Sequence, residues 1–554
     1  MIGFLRRANK KPVKQRGTGG PGKAPVPSDF IEISKRLEDN EAYLRREFAN
    51  ITDIVFREFY VGKNRCLAVW FKGMIDNRVS RDLFHSLMLD LPPEDLREVP
   101  GRELADYLNK HFLPFYSTAR VTDLAEIKRW VLMAKLVMLI DGCPVGLMLE
   151  AEHTPTRNVS EPVVESTVAG PRDGFVESLL VNTALIRKRL GDAKLKSENF
   201  ILGRRSNTLV TLMYIEELAN PKILEEVRQR INRIDIDSLS DSSYLKELIQ
   251  DRRFSLFPLM KNTERPDRVV ADLLEGRFAL IVNGTPQVLT APTLFVEFLQ
   301  TSDDYYLNPT VAWMIRILRY LALNIAAGLP AIYIALTTYH QEMIPIPLIF
   351  TIAGARETVP FPAYFDALFL LLIFELLWES SIRLPRVVGA AINIVGALVL
   401  GQAAIQAGLV SPFLVIVIAA TVISNFSLGS GYELASGLRL IRIVFMTAAA
   451  VLGFYGISLI YLALLVHLTG LRSFGVPYLE PWAPSRWREL KDTVYRAPRW
   501  GVTERPALIA GEDLTRSAAP GPSPPPAGSR RSGSGKDSPP SKKGGEGNKW
   551  NRAK

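Results

Sequence analysis

Between Pro360 and Pro412 the chain reads PFPAYFDALFLLLIFELLWESSIRLPRVVGAAINIVGALVLGQAAIQAGLVSP, two apolar runs broken at Arg383-Leu384-Pro385-Arg386. As a helix, the first run, Ala363 to Ser380, is long enough to cross a hydrocarbon core of about 30 Å. It nevertheless carries Asp366, Glu375 and Glu379. A carboxylate at the bilayer centre costs about 2.5–3.5 kcal/mol on insertion scales, so such groups face protein or water rather than lipid. Glu375, Glu379 and Arg383 recur at i, i+4 and i+8, along one helix face. The second run, Val387 to Leu409, holds Gly389, Gly396 and Gly401, which admit close helix approach, and Asn393, Gln402 and Gln406, which can hydrogen-bond between helices. This is the patterning of helices inside a bundle, not of a lone anchor.

The surrounding sequence extends the same character into a helical membrane domain, residues 306–484. Five long apolar segments are expected, near 317–338, 363–380, 387–409, 412–428 and 443–468. A sixth, Met343–Ala355, contains Pro345 and Pro347 and is too short to span; it reads as re-entrant or interfacial. Arg316 and Arg319 before the first span, Arg383 and Arg386 after the second, and Arg439 and Arg442 before the fifth agree with a cytoplasmic amino terminus. The basic tail breaks the pattern, because a fifth full span would place it outside. Three resolutions stand: a fold-back near Gly453 or Gly456, a crossing by Met343–Ala355, or an exception to the charge rule.

Ahead of this domain the composition is that of soluble protein, and 554 residues allow two or three domains. Residues 30–153 read as one α/β subdomain and 154–305 as a second, joined by a polar connector with Pro155, Pro162 and Pro171. Asp141-Gly142 and Asn283-Gly284, each between apolar runs, predict type I′ hairpins. Asn207–Ile215 reads as a strand, and Asn220-Pro221 as a capped helix start. Strand, helix and strand there suggest a βαβ crossover. The stretches LIDGCPVG (139–146) and IVNGTPQV (281–288) resemble each other, through either an internal duplication or a shared turn chemistry. The fold class is therefore a mixed α+β/α soluble region of two α/β subdomains, followed by an all-α polytopic membrane domain. Residues 1–29 and 485–554 read as disordered basic tails.

The net charge of +10 comes largely from these ends. It points to anionic lipid rather than to a nucleic-acid groove. The amino terminus lacks the apolar core of a secretory signal, which leaves the first domains in the cytoplasm. Two cysteines, Cys66 and Cys143, give neither a disulfide framework nor a metal cluster. The five histidines are scattered and no glycine-rich phosphate loop occurs, so neither an enzyme nor a cofactor is expected. Glu375 and Glu379 either line a water-filled or gating path, or brace the bundle through Arg383 or another helix. Arg356-Glu357 reads as a hinge salt bridge or a gate.

Several stretches resemble the A-subunit family of endospore nutrient germinant receptors, the GerA family. They include GPRDGFVESLLVNTALIRKRL (170–190), LGRRSNTLVTLMYIEELANP (202–221), FSLFPLMKNTERPDRVVADLLEGRFALIVNGTP (254–286), AGARETVPFP (353–362), VVGAAINIVGALVLGQAAIQAGLVSP (387–412) and HLTGLRSFGVPYLEPWAP (467–484). The resemblance covers about residues 165–485. It implies a multi-pass protein of the spore inner membrane that works with a nutrient-binding B-type subunit and a lipoprotein C-type subunit. It also implies a homo-oligomer that forms a nutrient-gated cation channel, in which Glu375 or Glu379 would ring a common axis. A non-conducting scaffold and, more weakly, a transporter using Asp366, Glu375 and Glu379 are the competing readings.

Overall fold

A computed structural model of the chain describes residues 30–87, 101–108, 118–151, 162, 165, 169–383, 401–428, 432–487 and 489–516. Gly389, Asn393 and Gly396, and both extreme tails, lie outside the described residues.

The first α/β unit runs α1 (Leu37–Glu47), β1 (Ile54–Val61), β2 (Asn64–Phe71), α2 (Asn77–His85), α3 (Gly101–Tyr107), β3 (Thr118–Val121), α4 (Leu124–Leu132), β4 (Leu136–Ile140) and β5 (Gly146–Leu149). The second repeats this order: α5 (Leu179–Arg189), β6 (Leu195–Leu202), β7 (Thr208–Ile215), α6 (Pro221–Asn232), α7 (Ser242–Ile249), β8 (Lys261–Thr263), α8 (Pro266–Leu274), β9 (Phe278–Val282) and β10 (Val288–Ala291). The sheets are ordered β1-β2-β4-β5-β3 and β6-β7-β9-β10-β8. Apolar residues fill both; β4, β5, β9 and β10 are buried along their whole length.

The similarity of the two turns belongs to a repeat of the whole unit. Asn40 donates to Ser34 O and accepts from Ser34 N; Asn182 does the same with Val176. Asp141 accepts from Leu37 N, and Asn283 from Leu179 N, so each hairpin turn caps the first helix of its own unit. Each member of these pairs lies 142 residues from its counterpart, as Leu37 does from Leu179. The same offset relates β4 to β9 and β5 to β10 end to end.

Two expectations need correction. The turns are not two-residue type I′ connections. Only Gly142 (φ +79°) and Gly284 (φ +99°) take positive φ, and the loops run on to Gly146 and Val288, because the Asp141 and Asn283 side chains serve the helix starts. Nor does a βαβ crossover occur among the described residues. All strand pairs within both five-stranded sheets are antiparallel. The two helices after β7 carry the chain to the opposite edge, where β8 pairs with β10.

A buried ion pair joins the units. Arg187 of α5 makes a two-pronged contact with Asp53, with Nη2 2.7 Å from Oδ1, and Ser197 Oγ donates to the same Oδ1 at 2.7 Å.

The helical part begins with α9 (Ser302–Tyr306) and α10 (Pro309–Thr338), capped by Asn308 with Pro309 in its first turn. There follow α11 (Ile346–Arg356), α12 (Ala363–Arg383), a helical stretch over 401–406, α13 (Pro412–Phe426) and α14 (Tyr432–Gly470). Among the described residues two helices are long and apolar enough to cross a membrane, Pro309–Thr338 and Glu433–Gly470.

The last of these reverses direction at Gly453, whose φ of 62° and ψ of −139° break the helix. A Cβ on Gly456 would lie 2.2 Å from the carbonyl oxygen of Ala448. The rings of Phe445 and Tyr461 are 6.4 Å apart, where a straight helix would separate them by about 24 Å. The helix is a hairpin with arms 432–452 and 454–470, about 31 and 25 Å long. Its feet stand on the second α/β unit: Glu433 pairs with Lys246 at 2.5 Å, and the Phe257 and His467 rings are 6.3 Å apart. Its tip meets the far end of α10, where Tyr339 Oη donates to the carbonyls of Ala450 and Val451.

Both α12 and α13 run from tip to foot. Tyr364 reaches Thr447 near the tip, and Ser411, which caps α13, reaches Tyr333. At the other end the Trp378 and Phe426 rings are 4.6 Å apart.

After Gly470 the chain returns to the second unit. A tail lacking structure from residue 485 was the expectation; instead, residues 489–516 form a strap across this unit. Gly511 N donates to Leu218 O, Arg505 Nε donates to Leu274 O, and Ile509 is buried in the core of the unit. Apolar Leu508 and Ile509 within the polar stretch give the strap something to bury.

Candidate functional site: charged residues of the bundle and its foot

The carboxylates of α12 sit at different depths. Asp366, in its first turn near the tip, is 1% exposed. Its carboxylate lies beside the Ser411 amide without completing a hydrogen bond. Glu375 accepts from Arg439 of α14 at 3.0 Å, and the guanidinium of Arg439 lies 5.6 Å over the Trp378 ring. One turn along α14, Arg442 is buried and donates to Ala326 O of α10 at 2.7 Å. Glu379 pairs with Arg383 within its own helix at 2.5 Å, on an exposed surface. Arg356 is half-buried and Glu357 exposed, and among the described residues no ion pair joins them. Gly401 has open space where a side chain would go, and Gln402 and Gln406 are exposed. The face carrying these three is therefore not packed within one copy of the described chain.

A second charged group sits at the foot, where the second unit, α10 and the strap converge. Arg319 makes a two-pronged pair with Asp304, at 2.6 and 2.8 Å. Arg316 donates to the same carboxylate at 3.2 Å and to Asp492 of the strap at 2.9 Å. Burial alone would raise the Asp304 carboxyl. The hydrogen bonds from Arg319 and the charges of Arg319 and Arg316 outweigh it and hold it below its usual value. Just above, Lys261 contacts Asp272 at 2.7 Å and Glu297 at 3.7 Å, and Arg277 binds Glu297 directly. Burial and the Asp272 charge keep the Glu297 carboxyl raised, whereas Lys261 and Arg277 pull Asp272 below its usual value against burial. These groups border a cavity of about 380 Å³ lined also by Tyr305, Arg496 and Arg516.

A family model described as Bacillus/Clostridium GerA spore germination protein matches residues 42–508. The chain belongs to the GerA family. It is 40% identical to spore germination protein KA of Bacillus subtilis over 489 residues, which is 88% of this chain and 89% of that one. With spore germination protein GerLA of Bacillus cereus the identity is 37%, over 88% and 98% of the two chains. A crystal structure of the N-terminal domain of the A subunit of the Bacillus megaterium germinant receptor GerK3 matches 48% of this chain and 98% of its own, at 29% identity and a TM-score of 0.39.

The foot network of this GerA-family chain was not anticipated from its sequence. Arg316 and Arg319 read there only as markers of the cytoplasmic side. The usable signal was their i, i+3 spacing on one helix face, just after the Thr301-to-Asp304 capping box. The partnership with Asp492 had no local signal, because 176 residues separate the two.

Proposed function

We propose that this chain is the A-type subunit of a nutrient germinant receptor in the endospore inner membrane, and that copies of it surround a cation path gated by nutrient bound to a B-type partner. A C-type partner completes the receptor. In this reading the bundle crosses the bilayer six times. α10 leads outward, α12 back, the helical stretch that includes 401–406 outward, α13 back, and the two arms of α14 out and back. The crossing number is even, which puts both α/β units and the strap on the cytoplasmic side, with Arg316, Arg319, Arg383 and Arg439 toward that face as the positive-inside rule asks.

The observation that carries the channel reading is the exposure of Glu379, Gln402 and Gln406, and the partial exposure of Glu375, on a largely apolar bundle. Lipid does not solvate such groups, so they need a neighbouring subunit or water. A second reading, a non-conducting scaffold, is favoured by one specific fact: Glu375 and Glu379 are each paired with an arginine of their own chain.

The test is co-reconstitution of the full chain with its B- and C-type partners in liposomes, with nutrient-triggered cation release as the readout. Release is expected from wild type, with altered selectivity for Glu375→Gln or Glu379→Gln in complexes that still assemble. An assembled complex that releases nothing on nutrient addition would select the scaffold.

A further inference from the structure

We propose that the second α/β unit carries a bilayer-contact site of its own, which binds the anionic membrane surface beside the foot of the bundle; it rests on the reading that the bundle is embedded. The site is an exposed patch on α7 and the loop that follows it. Tyr244 and Leu248 stand one turn apart on the open face of α7, and Phe254 is 99% exposed at the loop tip, with Leu256 exposed beside it. Arg252 and Arg253 precede the tip; both are exposed, and neither makes an ion pair among the described residues. With Glu247 counted, the patch keeps a net positive charge. Solitary exposed apolar side chains are ordinary, but four of them within thirteen residues, interleaved with two unpaired arginines, are not.

The patch is fixed at the level where the bundle leaves the α/β unit. Lys246, on the flank of α7, pairs with Glu433 in the first turn of α14. The Leu256 carbonyl packs so closely on α14 that a Cβ on Gly437 would lie 2.1 Å from it. Leu256 and Leu440 both border a groove that Trp378 also lines, and Leu440, Ile443 and Val444 are exposed along the next turns of the hairpin arm. The exposed apolar side chains of the loop therefore lie beside those of the hairpin arm. An aromatic tip beside arginines is the composition that partitions to the headgroup layer. The ring enters the acyl boundary, and each guanidinium is drawn to an anionic surface. Such a contact would hold the unit flat against the membrane and fix the angle at which motion in the unit reaches the feet of α10 and α14.

The experiment places a nitroxide at Phe254→Cys in the full chain, reconstituted in vesicles of mixed phosphatidylcholine and phosphatidylglycerol, and compares its collision rates with oxygen and with a water-soluble nickel chelate. Ile201→Cys, exposed on the same unit, serves as the aqueous reference, and Ile416→Cys, exposed on α13, as the lipid reference. The native thiols, Cys66 and Cys143, are buried. The oxygen-to-nickel ratio at Phe254 is expected to be several-fold above that at Ile201. It should fall toward the reference when Arg252 and Arg253 are both changed to Ala, and likewise in vesicles of phosphatidylcholine alone. A ratio at Phe254 equal to that at Ile201, with Ile416 still reading lipid, overturns the site and leaves the embedded bundle standing. Suppressed collisions with both reagents at Phe254 mean that protein covers the patch, and also overturn it. An aqueous reading at Ile416 overturns the embedded bundle, and the site falls with it.

Discussion

The two α/β units share a frame and treat charge differently. In both, an asparagine locks the entry to the first helix and a hairpin turn caps it. Yet where the second unit has Lys261, Asp272 and Thr290, the first has Ala119, Trp130 and Met148 at the same offset. In the second unit these three form a buried network, Lys261 to Asp272 at 2.7 Å and Thr290 Oγ1 to Asp272 at 2.9 Å, beside a cavity shared with the strap. The frame is local backbone chemistry, so it persists in both copies. The charges answer what packs against the unit, so they occur only in the copy that carries the bundle.

If so, damage should grow with the number of buried charges stranded. Asp304 neutralises two arginines at once, and Arg316 is fully buried. Asp304→Ala leaves both without that counter-charge, and breaking a buried pair this way costs about 3–5 kcal/mol. The expected outcome is a large fall in the thermal stability of the detergent-solubilised protein, with α10 and the strap becoming protease-sensitive. A variant as stable as wild type would show that water reaches the foot and screens it.

Lys261→Met should cost somewhat less, about 3 kcal/mol, because Asp272 keeps its Thr290 hydrogen bond and the charge of Arg277. Adding Asp272→Leu should recover part of that loss and bring the second unit toward the apolar arrangement of the first. Additive losses in the double variant would mean that the pair is not coupled. Smaller still, Asn40→Ala and Asn182→Ala should each cost about 1–2 kcal/mol, since each strands a partly buried backbone donor and acceptor. Similar losses of amide protection at the starts of α1 and α5 would confirm one frame in two copies; loss at one site alone would break the comparison.

This contrast also accounts for what could be read from the sequence. Elements set by neighbours in the chain were legible: the Asn220-Pro221 helix start, the two glycine turns, the apolar helices, and Gly453 as one of the candidate fold-back points. What depended on distant partners was not. The antiparallel placement of β8 is decided by pairing with β10 across two intervening elements. The strap gains its order from a surface formed more than two hundred residues earlier, at Leu218 and Leu274. Glu375 could be placed on a helix face, but its partner Arg439 lies 64 residues on. Hydropathy shows α14 as one apolar run, whereas the structure gives it two arms, because the reversal rests on the backbone of a single glycine.

The strap offers the smallest and most specific test. Glu480 is fully buried between the hairpin foot and the strap, with Arg486 Nε 3.4 Å away and Glu489 nearby. Burial, reinforced by the Glu489 charge, pushes its carboxyl from 4.5 up to about 7, with Arg486 and Arg277 opposing. Between those values the folded protein holds a proton that the unfolded chain has released. Stability contributed by this site is therefore full at low pH and lost as pH rises toward 7. Glu480→Gln mimics the protonated form, so it should flatten that slope and stabilise the strap at about pH 8 while changing little at about pH 5. Protease protection of residues 489–516 across that range reads it directly. Among the described residues the first unit carries no strap and no such carboxyl, so protection of β4 and β5 should not follow Glu480 at all. If it does, the two units open together, and the charges that distinguish them do not divide them mechanically.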